Sequence, residues 1–239
     1  MHRSHVAALL VLATVVLAGC TGLPGGGAPY ETPLNGTEMD ARHTAALQDA
    51  GSYTYDSTTN TTLFDQSTNV NATVKMDREA NTTLVTADSA FGEMAVYVPP
   101  DGPGYQRLGT GSDARYERLD ERPNVSRFTG TDFANLTTRY EFAQNGTTTL
   151  DGETVWVYEA NETNVTETAF ADEINRSTNV SIRLYAREDG LVTRTDAHLT
   201  VDTPIGTQSF AIVRTYTAVG ETTVEEPSWV ADAKERTAA

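Results

Sequence analysis

Asn179-Val180-Ser181-Ile182-Arg183-Leu184-Tyr185-Ala186-Arg187-Glu188-Asp189-Gly190-Leu191-Val192 decides the fold. Val180, Ile182 and Leu184 alternate with Asn179, Ser181 and Arg183. A period of two belongs to a strand with one dry face and one wet face. Glu188-Asp189-Gly190 is an Asp-Gly hairpin signal, so the strand turns and runs back over residues 191–202. Asp202-Thr203-Pro204-Ile205-Gly206 turns it again into residues 207–219. Three long antiparallel strands in succession form the frame.

Upstream, the same period recurs over residues 52–64, 68–78, 81–88 and 92–99, with Tyr53 and Tyr55 sharing a face and Met94, Val96 and Val98 alternating. The turn cluster of residues 99–104 leads to shorter strands at 106–108 and 116–119, separated by Gly109-Thr110-Gly111. These glycines lack phosphate-loop spacing and read as a turn. Asp151-Gly152 turns residues 147–150 into a strand over 153–159 that carries Trp156. Thr37, with Asp40 three residues on, reads as the N-cap of a helix whose Met39, His43, Ala46 and Leu47 share a face and which ends at Ala50-Gly51. Residues 131–142 give a second helix, with Phe133, Leu136 and Tyr140 on one side and Asn135 on the other. Residues 166–176 give a third, with Phe170 and Ile174 inward, and residues 227–230 a terminal apolar plug. The fold expected is α+β: a curved antiparallel sheet of about nine or ten strands, an open half-barrel wrapped around two or three helices, in one domain over residues 38–239.

Leu17-Ala18-Gly19-Cys20 closes the apolar run of residues 6–18 and contains the one cysteine of the chain. A basic start, a short apolar core and small residues at a cut site describe a signal peptide, here residues 1–19. The core is too short to span a bilayer. The pattern looks like a lipobox, which makes Cys20 the lipid attachment point and the membrane a partner through that lipid. Two chains are needed for stable anchoring, and the diacyl or diether group of such lipoproteins supplies them. Residues 20–37 contain Gly22, Pro24, Gly25, Gly26, Gly27 and Pro29 and read as a flexible tether. The expected location is the extracytoplasmic face of the cell membrane.

The formal net charge is −16, with Lys75 and Lys234 as the two lysines. Cleavage after Gly19 removes Arg3 alone among charged residues. A surface this acidic, without a basic cluster, repels nucleic acid. Acid-rich, lysine-poor composition resembles that of haloarchaeal proteins, in which molar salt screens the repulsion. With Cys20 lipidated the chain has no disulfide, so its core must hold it.

Eleven of the 12 asparagines begin Asn-X-Ser/Thr: Asn35, Asn60, Asn71, Asn81, Asn124, Asn135, Asn145, Asn161, Asn164, Asn175 and Asn179; Asn69 is the exception. They are the candidate N-glycosylation sites, although a Thr-rich, low-lysine surface also makes such triplets cheaply. A glycan must face water. Alternation sends Asn71 and Thr73 outward and Val70, Ala72, Val74 and Met76 inward.

No catalytic constellation emerges. His43 and His198 are the mature chain's histidines, and His43 sits on the apolar helix face, where packing outweighs metal ligation. No His-x-x-x-His, Gly-x-Ser-x-Gly or free cysteine nucleophile is present, and no loop has calcium-site spacing. Asp172-Glu173 and Glu225-Glu226 read as solvated charge. A non-enzyme without cofactor or metal is expected.

The order of elements resembles haloarchaeal lipoproteins related to the LolA, LolB, LppX and LprG group. The lipobox, the helix ending Ala50-Gly51-Ser52-Tyr53-Thr54, the meander, Val155-Trp156-Val157-Tyr158 and the Leu184–Val192 hairpin carry the resemblance over residues 38–230. It implies an apolar cavity between half-barrel and helices that holds a lipid or acyl chain. Transfer to a lipopolysaccharide outer membrane does not carry over to archaea, and no residue matches a family contact motif. The inward candidates for a cavity lining are Val74, Met76, Val96, Val98, Val155, Val157, Ile182, Leu184, Leu199, Phe210 and Ile212. Two readings stand: a membrane-anchored lipoprotein binding a lipid or apolar ligand, or an N-glycosylated cell-surface structural or partner-binding module with a filled core. A cavity of several hundred Å³ separates them.

Overall fold

Eleven strands, each antiparallel to its neighbours, form one sheet that does not close. The computed structural model describes residues 27–63, 66–123, 132–161, 178–203 and 206–238. The strands are β1 Ser52–Leu63, β2 Gln66–Asp77, β3 Thr82–Ser89, β4 Gly92–Val98, β5 Gly104–Leu108, β6 Arg115–Leu119, β7 Ala143–Leu150, β8 Glu153–Asn161, β9 Thr178–Ala186, β10 Val192–Thr203 and β11 Gly206–Thr217. Their order is β6-β5-β4-β3-β2-β1-β11-β10-β9-β8-β7. The first six form one meander, the last five another, and β1 joins β11 between them. Asp151 and Gly152, both at positive φ, form the two-residue turn between β7 and β8. The expected helix at 166–176 and the sites Cys20, Asn124, Asn164 and Asn175 lie outside the described residues.

Three helices belong to the described residues: α1 Gly36–Asp49, α2 Phe133–Arg139 and α3 Trp229–Arg236. None is long and apolar enough to cross a membrane. α1 and α2 lie on the concave face. One buried cluster there joins Met39 and Phe133 to Tyr158, Ala160, Val180, Ile182 and Leu184. Another puts Leu47 over Tyr53, Tyr55, Val74, Val85, Val96, Val98 and Tyr216. His43 lies edge-on between the rings of Phe133 at 5.4 Å and Tyr216 at 4.9 Å, and so bridges the two clusters. α3 covers the opposite face: its Val230 and Ala233 pack on Tyr97, which alternates with the inward Val96 and Val98, and on Tyr105, its partner across β4 and β5. The terminal plug is therefore a helix.

Two boundaries move from their expected places. The cap of α1 is Asn35, whose Oδ1 accepts from the Glu38 amide at 3.2 Å, and not Thr37. Asp40 is thereby freed from its own helix, and its carboxylate accepts from the Phe133 and Ala134 amides, each at 3.0 Å. It caps α2 across space. Packing also begins before residue 37, within the stretch expected to be a tether. Pro29 and Tyr30 are buried. The Tyr30 amide donates to the Tyr158 hydroxyl, which donates to the Tyr30 carbonyl, and the Tyr30 hydroxyl donates to the Gly190 carbonyl. An aromatic ring with both polar ends satisfied outweighs the chain entropy of its glycine-rich neighbours.

Candidate functional site: an apolar cleft under the second helix

Between α2 and strands β9, β10 and β11 lies a cleft of about 500 Å³. Asp132, Asn135, Leu136, Arg139 and Tyr140 border it from the helix side; Val180, Ile182, Thr195, Ala197, Leu199, Phe210, Ile212 and Arg214 form its floor, and His198 also borders it. Cross-strand pairing builds that floor in rows. Ile182, Ala197 and Ile212 oppose one another across β9, β10 and β11, as do Val180, Leu199 and Phe210. Directly paired residues share a face, so each row points the same way. Val180 and Ile182 are nearly buried, while Leu199, Phe210 and Ile212 stay half-buried at the surface of the cleft.

Capping explains why α2 stands where it does. Asp132 Oδ1 accepts from the Asn135 amide at 2.8 Å, and Asp40 takes the two amides before it. Gly36 lets α1 touch α2: a Cβ there would lie 2.5 Å from Ala134 Cα and overlap the Phe133 carbonyl. The short helix is thus held at its base by α1, while its far end overhangs the cleft. Burial raises the pKa of the Tyr140 hydroxyl, with the Arg139 charge opposing, so it stays a neutral donor in the wall.

Among the inward candidates, Ile182, Leu199, Phe210 and Ile212 border the cleft. Val74, Val96 and Val98 are buried beneath α1, with Met76 packed against them. Leu184 is buried under Met39 and Phe133. Val155 and Val157 fall on the other face. Trp156, Tyr158 and Ala160 pair with the inward Ala186, Leu184 and Ile182, and take that row instead. Val155 borders a second, polar cleft of about 580 Å³. There Arg187 pairs with Glu153 at 3.3 Å and Arg194 with Asp196 at 2.8 Å. Leu136 and Tyr140 belonged to the helical face read from sequence, and Val180 to the inward strand face. Arg214 was missed as a cleft residue; its even-numbered position in β11, in step with Phe210 and Ile212, was the available signal.

Of the remaining candidates, Asn135 and His198 also border the cleft, and His43 does not. His43 accepts the Val192 amide at Nδ1, and burial lowers its pKa to about 4. His198 is exposed and pairs with Ser181 and Ala211 in an outward row, away from His43. No group of three metal-ligating side chains occurs among the described residues. All eight described sequon asparagines are exposed: Asn35, Asn60, Asn71, Asn81, Asn135, Asn145, Asn161 and Asn179. Register puts Asn60, Asn71, Asn161 and Asn179 on the convex face. The exposed large apolar side chains Leu63, Val70, Phe91 and Leu108 gather at one end of the sheet, that of the β1–β2 and β3–β4 turns.

A family described as a family of unknown function (DUF7537) matches residues 5–233. No curated protein matches the chain. Among solved structures the chain is similar to lipoprotein LppX of Mycobacterium tuberculosis, with 13% identity, a TM-score of 0.42, and 80% of this chain and 98% of that one covered. It is similar to LprF from Mycobacterium bovis, with 12% identity, a TM-score of 0.36, and 84% and 99% covered. It is also similar to a LolA superfamily protein from Nitrosomonas europaea, with 11% identity, a TM-score of 0.28, and 81% and 95% covered. LppX and LolA are names within the group that the order of elements resembles.

Proposed function

The chain belongs to the family of unknown function DUF7537, and from its own cleft we propose that it binds a lipid or similar apolar ligand without catalysing a reaction. The carrying observation is the cleft of about 500 Å³ floored by half-buried Leu199, Phe210 and Ile212. A volume of that order suits a small ligand or one acyl chain. Each methylene buried there contributes about 0.8 kcal/mol, so a chain of ordinary length binds without a polar contact.

The rest of the reading follows from the sequence. Cys20 bears the lipid, the residues between it and Pro29 form the leash, and the domain works outside the cell membrane. The acidic, lysine-poor surface suits high salt, as in haloarchaea. Leu63, Phe91 and Leu108, exposed at one end of the sheet, supply an apolar rim through which a ligand passes between bilayer and protein. Glycans on Asn60, Asn71, Asn161 and Asn179 occupy the face opposite the cleft, whereas Asn135 borders the cleft itself. Asn60 and Asn71 are the readiest acceptors, because their side-chain oxygens accept from Asn69 and Thr58 and leave their amide nitrogens open. Asn81 and Asn145 use those nitrogens to donate to Pro100 and Glu159.

Organic extraction of the full chain, purified in high salt from a halophilic host, followed by mass spectrometry tests the reading. A stoichiometric non-covalent lipid supports it and gives its class. The second reading, a glycosylated module with a filled core, draws on Val74, Val85, Val96 and Val98, which are sealed under α1. A clean extract from folded protein favours that module.

A further inference from the structure

Arg214 stands at the inner end of the apolar cleft, without a counter-ion among the described residues. It follows Phe210 and Ile212 along the inward row of β11 and precedes the buried Tyr216. Its Nε is buried and makes no hydrogen bond. None of the ion pairs among the described residues includes it. Asp132, the carboxylate that borders the same cleft, caps its own helix by accepting the Asn135 amide and forms no ion pair with Arg214 among the described residues. Arg214 as a whole is half-buried, but a buried N–H donor without an acceptor is costly, and an anion in the cleft would supply one.

The groups around Arg214 are donors of the kind an anion needs. Thr195 and Ser57 are its direct cross-strand partners on the same face. Thr195 is buried and borders the cleft. Tyr55 lies one step further along β1; its hydroxyl bonds Ser57 and feels the Arg214 charge. Hydroxyls and a guanidinium stand at one end, and an apolar floor runs outward from them.

We propose that the cleft takes an amphiphile with one hydrocarbon chain and an anionic head, a carboxylate or a phosphate. The head sits on Arg214 with the Thr195 and Ser57 hydroxyls, and the chain runs along Ile212, Phe210 and Leu199 towards the open end. This assignment rests on the reading of the cleft as an apolar ligand site. Charge complementarity at Arg214 selects the head, because the chain as a whole, at net −16, disfavours anions elsewhere.

The test titrates the full chain, at one fixed salt concentration, with 11-(dansylamino)undecanoic acid and with its methyl ester. The acid is expected to bind at least about tenfold tighter than the ester, the scale of one charge-assisted contact. Arg214→Gln is expected to bring the acid down to the ester's affinity and to leave the ester within about twofold of wild type. Arg214→Lys, which keeps the charge and loses the fork, is expected to fall between them. Equal affinity of the wild type for acid and ester overturns the assignment and leaves the apolar-site reading standing. Binding of neither probe overturns both. Displacement of the acid by inorganic phosphate at equal concentration overturns the amphiphile in favour of a small-anion site. The wild-type comparison needs no variant to fold.

Discussion

His43 Nδ1 accepts the Val192 amide at 3.2 Å across 149 residues of sequence, and so ties the N-terminal helix to the first residue of β10. The bond requires a neutral ring nitrogen. Burial lowers the His43 pKa from 6.5 to about 4, with the Asp189 charge opposing. The folded state therefore binds the proton later than the unfolded chain does. Between those two values the unfolded chain carries more protons, so stability rises with pH there. The contribution is complete above about pH 6.5 and is lost as the pH falls towards 4, by about 3 kcal/mol. Denaturant midpoints measured from pH 7.5 down to 4 at constant salt show this slope. In His43→Leu the baseline drops, because the Val192 amide loses its acceptor, and the slope over the same window flattens.

Asp40 caps a helix other than its own. Asp40→Ala leaves the Phe133 and Ala134 amides without acceptors and is expected to cost about 1–2 kcal/mol. The loss falls on α2, which walls the cleft, so apolar probe affinity drops together with Tm. Asp40→Asn keeps one acceptor and loses less of both. A Tm loss with unchanged probe binding would separate Asp40 from the cleft.

Gly36 is fixed by contact. Its Cβ would meet the Phe133 carbonyl, the Thr137 hydroxyl and Ala134 Cα of the helix packed against it. Gly36→Ala is expected to push α1 and α2 apart at a cost of about 2 kcal/mol or more, despite alanine's better helix propensity. The Asn35-x-Thr37 triplet survives the change, so denaturation of deglycosylated wild type and variant isolates the packing effect.

The sheet was legible because its signal is local. Alternation in 179–187 and the Asp189-Gly190 turn need no distant information, and the same holds from Tyr53 to Val98. The strand at Val155-Trp156-Val157-Tyr158 was harder. All four residues are apolar, so the period of two offers no choice of face. The pairing of Trp156 with Ala186 makes that choice, and pairing is a long-range property. Tyr30 was hidden by its neighbours: a Gly- and Pro-rich stretch reads as a leash, yet one ring finds Tyr158 and the hairpin turn at Gly190. Asp40 read as a local cap because nothing in its own helix reveals Phe133. Helix α3 was compressed to a plug because residues 231–236 carry Ala231, Asp232, Lys234 and Glu235, too polar to mark an apolar face before Tyr97 and Tyr105 are known to receive Val230 and Ala233. The cleft itself follows from how α2 sits over β9, β10 and β11, which no strand pattern encodes.

Native mass spectrometry of the full chain beside Ile212→Trp tests the central claim most directly. Ile212 lies in the middle of the floor, between Phe210 and Arg214, so the indole fills the space that a ligand would use and leaves the buried clusters untouched. The wild type is predicted to carry a non-covalent mass of lipid size that collisional activation removes, distinct from any covalent group on Cys20, and the variant, equally folded, to lack it. A folded wild type without such a mass, or a variant that carries the same mass, contradicts the account.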